Sequence, residues 1–342
     1  MWVTSSPAKA LIPTTVAIGN FDGLHRGHQQ VIQPILNFAY DSQASEWQLQ
    51  SPSLVVGEDA NPTPNVHTHT TVVTFNPHPQ EFFSGQHRTL LTPLNEKVEE
   101  LSVWGVEQLV LLPFDRELAA LSPQEFVETI LVQQLRSQRI SVGEDFRFGW
   151  QRRGTATDLQ AIAANFGIPV SIVPLHTCEG ERISSSSIRQ AIEQGDLQRA
   201  LVLLGRPYTL LGTVIEGQQL GRTIGFPTAN LQLPPEKFLP RLGVYAVRVF
   251  IEACPSASSL LGVMNIGYRP TVNGTYPSVE IHLLDWSGDL YGKTLKVQLE
   301  KFLRPEQKFA SLEALKAQIQ VDCAIARSQI PLEQSTNNER ID

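Results

Sequence analysis

Apolar residues along this chain keep two different rhythms. Over the first half, short β-like runs alternate with stretches of helical spacing. "TTVAIG" (14–19), "TVVTFN" (71–76), "QLVLLPF" (108–114), "ISVGEDF" (140–146) and "VSIVPL" (170–175) have the length and β-branched content of buried strands. Between the first two, Val31, Ile32, Ile35, Leu36 and Ala39 form a helical stripe. In "LSPQEFVETILVQQL", Ser122 can cap a helix, Pro123 suits its first position and Glu125 completes a capping box. "DLQAIAANFG" ends on Gly167, a helix terminator. This alternation predicts a parallel sheet covered on both faces. Residues 41–70 interrupt it: polar, rich in Pro, Ser, Thr and Asn, and without sustained period, they predict a long inserted loop. His67 and His69 alternate near its end, where histidines are more often solvated than ligands.

After "LVLLGRPY" the texture changes. "TLLGTVIEG", "GVYAVRVFIEA", "LLGVMNIG", "SVEIHLLDW" and "TLKVQLEKFL" follow one another across Gly, Pro and Asn turns, with no helix between them. That succession predicts a small antiparallel barrel. A helix over 311–329 follows, with Leu312, Leu315, Ile319, Val321 and Ile325 largely on one face. The fold class is therefore an α/β domain (1–206) followed by a small antiparallel β-barrel domain with a C-terminal helix (207–330), then a frayed polar tail (331–342).

Bulk properties narrow the chemistry. A chain of 342 residues is long enough for two cores. A net charge of −7 argues against gripping a long nucleic acid, which demands many cations, yet it permits a small anionic ligand served by a few local ones. No apolar run approaches the roughly 18–20 residues needed to cross a bilayer, and the opening "MWVTSSPAKALIPTT" lacks the form of a secretion signal. Cys178, Cys254 and Cys323 lie far apart without zinc or disulfide spacing, as expected of isolated thiols in a reducing cytoplasm. No feature assigns an oligomeric state.

The densest chemistry in the first half is "AIGNFDGLHRGHQ" (17–29). It follows a strand and opens a helix near Gly27, the place where parallel α/β sheets bind ligands. Glycines let backbone approach a phosphate, and helix-start N–H groups face it. His25 and His28, three apart, lie on one side of the first turn and can stabilise charge on a phosphate bridge. Later, "ERISSSSIRQAI" (181–192) sets hydroxyls between Arg182 and Arg189; alone it reads as a serine-rich cap or as a phosphate cradle. The HxGH arrangement resembles the signature of Rossmann-like nucleotidyltransferases. With "VVTFNPHPQEFF", "LLTPLNEKVEEL", "LPFDRELAALSPQEFV" and "VGEDFRFGWQRRGT" in order, the whole half resembles the FMN adenylyltransferase module of bifunctional riboflavin kinase/FAD synthetases.

That resemblance implies ATP phosphates on His25 and His28, with Gly19, Asn20, Phe21, Asp22 and Gly27 around them. It further implies Arg182, Ser185, Ser186 and Arg189 on the triphosphate and Asp145 near flavin. Ser186 stands where the family's ISSTxxR motif carries threonine, and Asn76 where an acidic residue is more usual.

In the second half, "GQQLGRTIGFPTANL" (217–231) places Thr228 and Asn230 two apart in an extended segment, so both face one way. Hard oxygens of this kind suit Mg²⁺, although a Thr–x–Asn pair alone is more often turn chemistry. In "SVEIHLLD", Val279, Ile281 and Leu283 share one face, while Glu280 and His282 share the other, read here as directed inward. A carboxylate on a barrel strand can act as a general base. "GVMNIGYRPTVNG" and "VEIHLLDWSGDLYGKTLKVQLEKFLRPEQKF" complete a resemblance to the riboflavin kinase module over 207–327. It implies Thr228 and Asn230 as Mg²⁺ and phosphate residues, Glu280 as base, Gly221 and Arg222 against ATP, and Arg304 and Glu306 over the flavin. The expected substrates are riboflavin, FMN and ATP, with neither nucleic acid nor membrane as partner. Two rivals are another nucleotidyltransferase fused to an unrelated barrel and a non-catalytic flavin sensor; the pairing of "GFPTAN" with "VEIHLLD" speaks against the first.

Overall fold

The computed structural model describes residues 1–48, 67–178, 180–217, 220–252, 259–271 and 274–330. They form two compact units, one of Met1–Arg88 with Leu94–Ser184 and one of Thr89–Pro93 with Ser185 onward. The sequence texture draws its boundary later, near 206.

The first unit is built on a six-stranded parallel sheet. Its strands are β1 (Trp2–Thr4), β2 (Thr14–Ile18), β3 (His69–Asn76), β4 (Gln108–Pro113), β5 (Ser137–Gly143) and β6 (Val170–Val173), in the order β1-β4-β3-β2-β5-β6. Alternation sends successive side chains to opposite faces. Val16 and Ile18, fully buried, pack with Val73, Val110, Ile140 and the helical segment around Ile130 and Leu131. Ala17 packs the other way, with Val72, Leu109, Ile32 and Ile35. Both faces are thus covered, as the strand–helix alternation predicts. The strand order reverses between β2 and β5, and such a switch point opens a crevice beyond the strands' carboxyl ends.

Helix α1 (Arg26–Gln48) corrects the loop expected over 41–70. Its last turns run through "DSQASEWQ", which lacks a repeating apolar stripe but also lacks Gly and Pro, so nothing stops the helix there. Residues 49–66 of that expected loop lie outside the described residues. Helix α2 (Pro79–Ser84), α3 (Leu94–Val103) and α4 (Ala156–Ala164) follow. The capping box at Ser122 forms as expected, with Glu125 N–H donating to Ser122 Oγ and Ser122 N–H to the Glu125 carboxylate. The segment beyond it, Val127–Gln134, widens into a π-helix, which the apolar spacing does not reveal.

The second unit begins with α5 (Ser185–Gln194) and α6 (Leu197–Leu204). A closed six-stranded barrel follows: β7 (Thr209–Ile215), β8 (Ala229–Gln232), β9 (Gly243–Ile251), β10 (Leu260–Thr271), β11 (Gly274–Leu283) and β12 (Thr294–Arg304). Its order is β7-β8-β11-β10-β9-β12. A single turn of helix, Leu220–Thr223, departs from the expected helix-free run. Tyr245, Val247, Met264, Ile266, Ile281 and Val297 are fully buried, and closure leaves no unpaired edge among these strands. Helix α7 (Leu312–Gln329) packs on Val244, Ala246, Leu261 and Val263, which alternate with those interior residues and so define the barrel's outer face. The face α7 buries is Asp322, Cys323 and Ala326. Leu312 and Val321, expected on that face, are about half exposed, because the helix is turned to deliver Asp322 to Arg304. The tail from 331 lies outside the described residues, and no described helix is long and apolar enough to cross a membrane.

Candidate active sites

The loop after β2 is bent hard. Phe21 and Leu24 are buried yet left-handed, with φ of 47° and 45°, and Gly23 between them has φ of 93°. Non-glycine residues in that region are uncommon and persist where surrounding packing holds them. Two donors hold this one: Thr74 Oγ1 donates to the Asn20 carbonyl at 2.9 Å, and Lys97 Nζ at 3.4 Å. Lys97 sits in the first turn of α3 almost fully buried, and burial lowers its pKa against the opposing pull of Asp22. Asp22, also buried, lies 4.0 Å from Arg88. Arg88 lies outside the quoted stretches; Lys97 lies within "LLTPLNEKVEEL", where a lysine on the apolar side of the helix is the faint signal.

The loop delivers the two histidines as a stack, ring centroids 3.6 Å apart and planes 16° from parallel. His28 N–H donates to His25 Nδ1 at 3.3 Å, and His25 N–H to His28 Nδ1 at 3.4 Å. Both Nδ1 atoms accept, so the neutral rings carry their protons on Nε2. Burial, then His25 and Lys97, push the His28 pKa well below that of an ordinary histidine. A Cβ on Gly27 would stand 3.2 Å from the His25 ring, so glycine gives that ring its room. The pair therefore presents neutral N–H donors of fixed tautomer at the switch point.

Asp145 emerges from the neighbouring β5 loop and is ion-paired with Arg182, each side chain about half exposed. The structure thus brings together two residues far apart in sequence. His78 is the cap of α2, its Nδ1 accepting from Gln80 N–H at 3.1 Å; burial, then Arg88, bring its pKa down to about 4. Asn76 ends β3 and is exposed. Phe75, Phe82, Phe83 and Phe114 form a cluster of edge-on rings beside it. Ser185 and Ser186 open α5, in the second unit. Arg189 donates to the Thr89 carbonyl at 2.6 Å and lies over the Phe238 ring.

The barrel site is organised by register. Directly opposed residues in an antiparallel pair point to one face. Asn230 opposes Glu280, Glu280 opposes Asn265, Asn265 opposes Val244 and Val244 opposes Arg304. These five make a single row across five strands, on the outer face that carries α7. Glu280 is therefore directed outward, correcting the inward expectation: the interior is filled by Ile281 and its apolar neighbours. Thr228, two before Asn230, has its hydroxyl 3.5 Å from Glu280 Oε2. His282 Nδ1–H donates to the Pro227 carbonyl at 2.9 Å and tethers the "GFPTAN" segment to β11. Asn265 is the residue missed from sequence; its amide flanks Glu280 only once strands are paired.

Two glycines let neighbouring groups pack closely at this corner. A Cβ on Gly217 would fall 2.0 Å from the Asn230 amide, and one on Gly221 2.3 Å from the Phe226 carbonyl. Arg222 is exposed beside Gly221. The Glu306 carboxylate lies over Gly267, where a Cβ would meet it at 2.0 Å, two residues along β10 from Asn265. Arg304 instead holds Asp322, its Nε 3.0 and 3.1 Å and its Nη2 2.9 Å from the carboxylate oxygens. Asp322 is 2 % exposed. Losing one partner strands a buried charge, so Arg304→Met is expected to cost about 3–5 kcal/mol. Arg304→Met with Asp322→Leu should recover much of that in urea unfolding of the barrel unit; equal losses in single and double variants would refute a structural pair.

An α/β unit with donor-bearing loops at its switch point, and a barrel with a carboxylate among hard oxygens, define a two-centre phosphate-handling transferase. FAD synthetase matches this chain at residues 8–63 and 58–187, and Flavokinase, the riboflavin kinase family, at 204–330. The bifunctional riboflavin kinase/FMN adenylyltransferase of Escherichia coli (strain K12) is 40% identical over 313 residues, 91% of each chain. That of Haemophilus influenzae is 37% identical over 314 residues, 92% of this chain and 93% of the relative. A crystal structure titled as a macrolide-efflux protein from Streptococcus pneumoniae superposes with a TM-score of 0.77 at 30% identity, covering 96% of this chain and 99% of that one. The chain belongs to the bifunctional riboflavin kinase/FMN adenylyltransferase family.

Proposed function

We propose that the two ATP-dependent steps of this family are divided along this chain, adenylyl transfer in the α/β domain (1–206) and the kinase step in the barrel domain (207–330). The observation that carries this reading is the convergence of Thr228, Asn230 and Glu280 on one outer face of the barrel. In the barrel, Glu280 orients the terminal ribityl hydroxyl of riboflavin and takes its proton. The oxygen attacks the γ-phosphorus of ATP, and FMN and ADP result. Asn265 and Asn230 lie directly opposite Glu280 on the neighbouring strands, within reach of its carboxylate. The Thr228 hydroxyl and Asn230 amide oxygen fit Mg²⁺ by donor chemistry, and Gly217 lets the Asn230 amide lie close against the loop backbone. Magnesium bound there would neutralise phosphate charge; positioning by the chain's own residues carries the remainder.

In the α/β unit, a phosphate oxygen of FMN attacks the α-phosphorus of a second ATP and pyrophosphate leaves. That nucleophile is already anionic, so no base is needed. The Nε2–H donors of His25 and His28 stabilise the charge that gathers on the phosphorus oxygens. The loop from Gly19 to Asp22 shapes the crevice, and Asp145 aligns Arg182 at its rim. Its location is taken as the cytoplasm, where ATP is supplied. Incubation with riboflavin, ATP and Mg²⁺, followed by chromatography of the flavins, should show FMN rising first and FAD after it. A sample that yields neither flavin nucleotide refutes the assignment.

A further inference from the structure

The opposite edge of the parallel sheet carries a cluster that neither transfer step uses. His69 is the first residue of β3 and His67 lies two before it. Residues two apart along an extended chain project to the same side. β3 and β4 pair in parallel with Thr71 opposite Gln108, which puts Glu107 beside Thr70, between the two histidines' strand and its neighbour. His67 Nε2 stands 2.7 Å from Glu107 Oε1, and His69 Nδ1 stands 4.0 Å from Glu107 Oε2. The two imidazoles meet edge-on at 4.6 Å. One ligand atom from each of the three residues lies within 4.8 Å of the others.

We propose that His67, His69 and Glu107 form a binding site for a late first-row divalent cation, of which zinc is the natural probe, at the amino-terminal edge of the sheet. Two imidazole nitrogens and one carboxylate oxygen are a common donor set for such ions, with water completing the shell. A tetrahedral ion about 2.0–2.1 Å from each ligand asks for ligand separations of about 3.3 Å. The present 2.7 and 4.0 Å bracket that value, so small side-chain rotations suffice.

The carboxylate is also held from behind, which is how metal ligands are commonly oriented. Thr70 N–H donates to Glu107 Oε2 at 2.8 Å and the Thr70 hydroxyl at 3.3 Å, while Glu107 N–H is bound to Thr70 O and Oγ1. Side-chain exposures of 47%, 22% and 39% for His67, His69 and Glu107 leave the ion a path in. The eight residues of β3 separate the cluster from the adenylyl-transfer crevice by roughly 23 Å at about 3.3 Å per residue, so the two sites are distinct.

The test uses the full chain, stripped with chelator and free of nucleotide. Calorimetric titration with Zn²⁺ should give one equivalent bound at micromolar concentration or tighter. Co²⁺ in its place should give the visible d–d bands of a four- or five-coordinate ion. His67→Ala and His69→Ala should each weaken zinc binding at least about tenfold and abolish the cobalt bands. FMN-to-FAD conversion by the zinc-free double variant should equal that of the zinc-free parent, showing that it folds. No binding below about 1 mM Zn²⁺ would overturn the proposal. So would binding that survives His67→Ala/His69→Ala and is lost instead in His25→Ala/His28→Ala.

Discussion

A Glu280→Ala chain is expected to stall at riboflavin: FMN forms from riboflavin and ATP far more slowly, while FMN supplied from outside is still converted to FAD. Removing a general base costs about 10²–10⁴ in rate. The loss should fall on kcat more than on KM, because proton transfer matters in the transition state and little in the bound complex. Folding should be spared, since Glu280 stands half-buried on the outer face and the interior beneath it is packed by Val279 and Ile281. Asn265→Ala offers a graded companion. It leaves the carboxylate in place but removes its flanking amide, so a smaller loss confined to the same step is expected. Chromatography of flavins from each step, run separately, decides the matter. Loss of both steps would contradict two independent centres, and undiminished FMN formation would remove Glu280 from the chemistry.

What could be read in advance follows how local each signal is. "GLHRGH" carries its own geometry, because a turn into a helix fixes where both rings go. "TAN" does likewise, since two residues apart on a strand must share a face. Asn265 was invisible for the opposite reason: it meets Glu280 through a register between strands, and register is set by which faces are buried across the whole barrel. Lys97 carries little signal of its own, because lysines are seldom buried. Its role under the Asn20 carbonyl exists only after α3 docks on the sheet. The helix through 41–48 is not legible in advance because it carries no repeating apolar stripe; what it has is the absence of Gly and Pro. The polar stretch places His67 and His69 in a loop, and nothing local in Glu107, nearly forty residues on, shows that parallel pairing brings it to them.

His28→Ala should show the reverse of the Glu280 phenotype, with FMN accumulating from riboflavin and FAD synthesis falling about 10²–10³ in kcat, the usual cost of one lost donor to a developing oxyanion. The structure adds a statement about charge. His28 is half-buried beside His25 and Lys97, and desolvation and both neighbours disfavour the imidazolium. The ring should therefore be neutral throughout the neutral range. It acts as an oriented hydrogen-bond donor, with its Nδ1 occupied by the His25 amide. In the protein without nucleotide, the His28 ring resonance, assigned by its disappearance in the variant, should not titrate near 6.5. Linkage gives the same result a second reading. The unfolded chain takes up a proton at this residue near 6.5 and the folded chain only well below it, so stability falls as pH drops below about 6.5. Part of that acid sensitivity should vanish in His28→Ala, measured by urea midpoints at pH 7.5 and 5.5. A ring that titrates normally, or an adenylyl-transfer rate that survives the substitution, would show that the stacked pair holds the loop in shape without touching the reaction.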